Sequence, residues 1–292
     1  MTVVIGLGLA VVAMFCWAFG DFLIQKTTRK IGDWETLFAI SLFSVLLLLP
    51  FVWRLIPSFF SLDLKTFVIV MCVNITLFFS ALIDFEALKK GKLSIIEPIW
   101  SFEIPAASIL AFLIIGEHIS VTQIILIVLL VISICLLAFR EKKFSKSFLF
   151  EKGVFIAAVG AITMGAAQFF LGWGARVVDP LSINFITDIF MLLGTGLYLF
   201  AKGRLFHTFA DILSKARLVI PMSVFDKTAW VAYAFSMTLA PIAIATALSE
   251  SYIIVVVLLG IFLNKEKLYL HQKIGLLGAI MTACVLTFVT SV

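Results

Sequence analysis

Long apolar runs separated by short polar gaps make up almost the whole chain. A helix needs about 20 mostly apolar residues to cross a bilayer. Ten segments meet that requirement: 3–23, 35–53, 66–87, 94–115, 121–139, 153–175, 181–201, 217–239, 242–263 and 272–290. The first run is longer than a signal-peptide core and has no basic residue before it, so a permanent span is expected rather than a cleaved leader. The gaps leave no room for a soluble domain. The pattern predicts an all-α polytopic membrane protein with ten transmembrane helices.

The most polar gap, REKKFSKSFLFEK from Arg140 to Lys152, stands at the middle of the chain. It divides the sequence into a first five-helix repeat (1–140), a polar inter-repeat loop (141–152) and a second five-helix repeat (153–292). The halves resemble each other weakly. A shift of 147 places Gly6 on Gly153, Ala10 on Ala157, Phe22 on Phe169 and Arg29 on Arg176, with Asp21 falling on Gln168. Near the ends of the halves, IIGEHISVTQ around Glu117 matches LNKEKLYLHQ around Glu266. Five spans is an odd number, so the two halves must insert with opposite orientation. Inverted repeats of this kind mark secondary transporters, with the substrate site at the repeat interface near mid-membrane.

Composition and charge narrow the picture. Of 292 residues, 63% are apolar and 13% charged, which a soluble core cannot accommodate but lipid can. The 30 Phe residues suit a lipid-facing surface. The net charge of +5 does not point to nucleic acid, because the basic residues cluster in the gaps. Eighteen of the 22 Lys and Arg lie in or at the edges of the gaps after spans one, three, five, seven and nine. Cytoplasmic loops are usually the basic ones, so both termini are expected on the non-cytoplasmic side, with a plasma (inner) membrane as the location. Cys16, Cys72, Cys135 and Cys284 sit inside apolar runs and read as packing residues. No cofactor or metal site is implied.

Polar residues within the spans are the candidate chemistry, since a charge at the bilayer centre costs at least about 2.5–3.5 kcal/mol. Span four carries Glu97, Trp100 and Glu103, with the two acids flanking the indole by about 60° on a helical wheel. Pro105 follows and should loosen the helix. Span eight carries Asp226, Trp230 and Tyr233 as one stripe, with Lys227 beside it as the one base well inside a span. Span nine carries Glu250 and Tyr252 in LSESY. Span one carries Trp17 and Asp21 on one face, and Gln168 takes the matching place in span six. Asn74 of span three is a further cavity candidate, while Asp84 and Glu86 are expected at the interface. In span seven, Asn184 and Asp188 favour a structural hydrogen bond. Acids with Trp and Tyr faces suit a cationic or zwitterionic amine, through direct attraction and cation–π contact. Glu103 and Glu250 are also the candidates for proton coupling.

Ten spans in two halves, with Trp17–Gly20, Ile104-Pro105 running on to Gly116-Glu117, and Glu266, resemble the EamA branch of the drug/metabolite transporter superfamily. The resemblance implies a basket of helices around a central cavity and alternating access. It implies that spans one, three, four, six, eight and nine line the cavity and that five and ten are peripheral. It departs in one respect, since that family more often has cytoplasmic termini. The function expected is a secondary active transporter of a small polar metabolite, an amino acid or quaternary amine first, with proton coupling. The alternatives are an exporter of neutral metabolites or drugs, and a facilitative carrier or channel. No catalytic constellation is present: His118, His207 and His271 lie in gaps and form no HExxH. The expected partners are a small-molecule substrate and the lipid bilayer. A fused two-half chain completes its own pathway, so a monomer is expected. The Gly275, Ala279 and Ala283 ridge of span ten offers a homodimer as the alternative.

Overall fold

The computed structural model describes residues 2–90, 99–138, 152–264 and 268–291, and every long regular element among them is helical. In chain order these are α1 (Thr2–Ile31), α2 (Asp33–Val52), α3 (Leu64–Lys90), α4 (Glu103–Ile115), α5 (Val121–Ala138), α6 (Lys152–Val177), α7 (Pro180–Ala201), α8 (Leu205–Ser214), α9 (Ala216–Leu239), α10 (Ile242–Ser249), α11 (Tyr252–Asn264) and α12 (Leu270–Ser291). A 3-10 turn, Ile56–Ser61, joins α2 to α3.

Among the described residues, 8 helical segments are long and apolar enough to cross a membrane, and α4 is a shorter apolar helix. α9 is not one of the 8, because Asp226 and Lys227 lower its hydropathy. Local chemistry explains several helix ends. Asp179 caps α7 by accepting from the Leu181 and Ser182 amides at 2.9 Å, ahead of Pro180 at the first helical position. Gly116 closes α4 in the left-handed region at φ 66°, and the Glu117 amide reaches back to the Ala111 carbonyl. The gap after span seven, expected as a plain connection, forms α8. Its Phe206 and Leu213 are exposed while Thr208 is buried, as in a helix lying at an interface.

The helices pair in a pattern that repeats between the halves. α1 lies along α9, and α6 lies along α3. Exchanging the halves turns the first pair into the second. α5 against α12 and α2 against α7 map onto themselves. Small residues make these approaches close, as expected where lipid gives no hydrophobic drive between helices. Ala10, Ala13 and Ala18 of α1 are buried, as are Ala229, Ala232 and Ala234 of α9. A side chain at Gly275 of α12 would meet the Leu137 nitrogen and the Ser133 carbonyl of α5 at 2.7 Å each. The Gly275/Ala279 ridge is therefore spent within the chain. Large apolar side chains face outward, among them Phe155, Leu197, Phe262 and Phe288.

Gly275→Leu should force α12 away from α5 and cost about 1–3 kcal/mol. Thermal unfolding in detergent should show a clear drop for this variant, while Gly8→Leu, with open space around it, should unfold like the parent.

Candidate functional site

Two helical spans are interrupted, and each interruption carries a glutamate. In the first half, the helical Ile99 and Trp100 give way to a turn at Ser101 and Phe102, and α4 restarts at Glu103. Pro105 has no N–H for the Ser101 carbonyl, which accepts from the Ile104 amide instead at 3.3 Å. In the second half, α10 ends at Ser249, Glu250 and Ser251 form the turn, and α11 starts at Tyr252. Here the Ser251 amide bonds to the Leu248 carbonyl at 3.2 Å. Under the shift of 147 this is the same bond, because Ser101 maps to Leu248, Ile104 to Ser251 and Glu103 to Glu250. No proline serves the second break. The Ser249 and Ser251 hydroxyls satisfy the Ala245 and Ala247 carbonyls at 2.6 and 2.7 Å.

The two glutamates meet at Gln168 of α6. Its Nε2 donates to Glu103 Oε2 and to Glu250 Oε1, at 2.8 Å each. Gly165, one turn earlier, makes this possible. A Cβ there would stand 2.6 Å from Ala106 Cβ and 2.7 Å from the Glu103 carbonyl. Gln168 and Glu103 are buried. Asp21 of α1 lies within charge reach of Glu250, and Asp84 of α3 within charge reach of Glu103. Asp84 was expected at the interface. Instead its Oδ1 is buried, packed against the space over Gly160 of α6. The acid cluster thus draws on spans one, three, four, six and nine.

A cavity of about 210 Å³ opens from Glu103 and Glu250 toward the end of the bundle where α5 stops and α12 begins. Trp100, Ser101, Tyr252 and Tyr269 share its wall with apolar residues such as Ile134, Leu137 and Val256. Among the described residues no Lys, Arg or His lines it.

The aromatic stripe is elsewhere. Trp17, Trp230 and Tyr233 pack on one another with ring centroids 5.1–6.2 Å apart at steep angles. The Tyr233 hydroxyl bonds with that of Thr246 at 2.6 Å. These rings belong to the largest apolar core and do not line the cavity. Lys227 turns away from the acid cluster. Its ammonium donates to Asp188 Oδ1 at 2.9 Å, sits 2.7 Å from Oδ2 and also reaches Asn184 Oδ1 at 3.4 Å. Asp226 is buried one turn before Trp230 on the same helix.

The opposite end of the bundle is fastened by Arg176. Its guanidinium holds Glu117 at 2.8 Å and donates to the Met237 and Ala240 carbonyls. Glu117 in turn accepts from the Ala243 amide at the start of α10. Four helix ends, those of α4, α6, α9 and α10, are tied through one ion pair.

The family model for EamA-like transporters matches the chain twice, over residues 4–139 and 151–288. The chain belongs to the EamA-like transporter family. It is an integral multi-pass membrane protein, and the family's members are membrane transporters of small molecules. None of the curated proteins compared with it matches. One solved crystal structure, described only as that of a protein, superposes with a TM-score of 0.76 at 12% identity, over 98% of this chain and 97% of that one. At that identity it speaks for the fold alone.

Set against the family, the site holds two surprises. Spans five and ten, expected at the periphery, line the cavity through Ile134, Leu137, Ala138 and Gln272. The reason is that α5 and α12 pack on each other beside the two broken spans. The Gly-Glu motif of the first half joins helix ends: Gly116 turns the chain after α4, and Glu117 meets Arg176. Sequence reasoning singled out neither residue of that pair as functional. The available signal was that Arg176 is one of three bases on the sparsely charged side. Glu97 and Glu266 lie outside the described residues. Asn74 is buried, and its amide finds no partner among the described residues.

Lys227→Met should leave Asp188 a buried charge without its counterion and cost about 3–5 kcal/mol. Adding Asp188→Leu should recover most of the loss in thermal unfolding, which a surface ion pair would not do.

Proposed function

We propose that the chain is a secondary active carrier whose ten spans form two inverted five-helix halves, and that it moves a cationic or zwitterionic amine by alternating access. The observation that carries this reading is the Glu103–Gln168–Glu250 bridge, formed where the fourth span of each half is broken. Two carboxylates beside one neutral amide, with no described base on the cavity wall, call for a positive charge. A proton and an ammonium each supply one and can also leave. Exchange of one for the other is proton-coupled antiport. The apolar walls suit a hydrocarbon body attached to that charge.

The closed end supports alternating access. The Arg176–Glu117 tie and the apolar core around Trp17 and Tyr233 block passage on one side of the acids, while the cavity leads from them to the other. Rocking the halves about the bridge would break the tie and expose the acids on that side. By the distribution of basic residues the cavity end is cytoplasmic, so the arrangement faces inward and both termini lie outside.

The test is amine flux in proteoliposomes, with and without a pH gradient. A gradient should drive accumulation of at least one amine, and Glu103→Gln and Glu250→Gln should each lower the rate about a hundredfold or more. Flux confined to neutral or anionic solutes would discard the acidic-cavity reading and leave an exporter of neutral metabolites. Flux unchanged by either substitution would leave a facilitative pathway that does not use the acids.

A further inference from the structure

Gln168 carries an unbalanced hydrogen-bond account. Both hydrogens of its Nε2 go to carboxylates. Its Oε1 is buried and meets no donor among the described residues. The side chain is 2% exposed, so solvent does not make up the difference. Buried polar atoms normally have partners, and a buried acceptor without one asks for an explanation.

The chemistry of the pair supplies it. Ionised carboxylates only accept, so a neutral amide between them must point N–H toward both. A glutamine amide turns easily about its last torsion. Placed beside an N–H cation, it would instead present its carbonyl. A primary ammonium has three N–H donors. The bridge offers three acceptors from three spans: one oxygen each from Glu103 and Glu250, and Oε1 of Gln168. A fully alkylated ammonium has no N–H and would leave Oε1 as it stands. Such a cation depends on aromatic rings instead, for which Trp100, Tyr252 and Tyr269 of the cavity wall are the candidates, and it gains nothing from the carbonyl of Gln168.

We propose that Gln168 is a specificity-determining residue, its amide holding the positions of an ammonium N–H group and turning its Oε1 to that group on binding, so that the carrier takes N–H-bearing cations in preference to fully alkylated ones. This rests on the reading of the Glu103–Glu250 pair as the amine site.

The experiment compares a primary amine with its N,N,N-trimethyl analogue, phenethylamine and trimethylphenethylammonium, as competitors of amine flux and as ligands of the full-length protein in detergent. The primary amine should bind at least about tenfold more tightly to the parent. In Gln168→Met, which keeps the volume but removes the carbonyl, the two should differ by no more than about threefold, mainly through weaker primary-amine binding. If that variant does not fold, Gln168→Asn, with its amide withdrawn by one methylene, should show the same narrowing. Equal binding of both compounds to the parent would overturn the role of Gln168 and leave the amine reading standing. So would a tenfold preference that survives in the folded variant. Binding of neither compound, together with no amine accumulated in the flux assay, would overturn the amine reading itself, and the inference with it.

Discussion

Everything in this bundle answers to one constraint: two carboxyls and an amide are buried against each other in a structure made to stand in hydrocarbon. Lipid solvates neither a charge nor an open backbone group. The chain meets both demands at one place. Each broken span tightens into i−3 hydrogen bonding at its glutamate: the Ile104 amide takes the Ser101 carbonyl that Pro105 cannot serve, and in the second half the Ser251 amide turns to Leu248 while the Ser251 hydroxyl takes the Ala247 carbonyl. Gly165 then brings α6 against the α4 backbone, so that Gln168 can reach both acids.

The charges of the core are sorted into separate groups. Lys227 is spent on Asp188 and Asn184, on the far side of α9 from the bridge. Arg176 is spent on Glu117 and two carbonyls at the closed end. The bridging acids are thereby left without a protein cation among the described residues. That is a poor arrangement for stability and a good one for a site that must accept and release positive charge. The ion pairs of Lys227 and Arg176 neutralise charges within the bundle, while Glu103 and Glu250 are bridged by a neutral amide alone among the described residues.

Internal symmetry explains why one amide sits between two acids. Under the repeat, Asp21 is the counterpart of Gln168 and Glu103 that of Glu250. A perfectly symmetric bundle would face four acids with nothing between them. Replacing one member by glutamine supplies two N–H donors at the centre and keeps the other three acidic. The asymmetry of the halves is thus chemical, whereas the helix pairing of α1 with α9 and of α3 with α6 keeps the symmetry.

By itself the sequence determined the membrane setting, most of the span positions and the two-half organisation, because hydropathy over about 20 residues and a repeat shift are properties of the chain alone. It also singled out Glu103, Gln168 and Glu250, since polar groups in apolar runs stand out without any knowledge of contacts. Only the tertiary structure decided that these three touch, across separations of 65 and 82 residues. The same holds for the partner of Lys227, the burial of Asp84, the Arg176–Glu117 tie and the use of the Trp17, Trp230 and Tyr233 faces as core. A helical wheel fixes which residues share a face but not which neighbour that face meets. In lipid, where apolar contact barely discriminates between neighbours, that choice falls to close approaches at glycine and alanine and to a few buried hydrogen bonds.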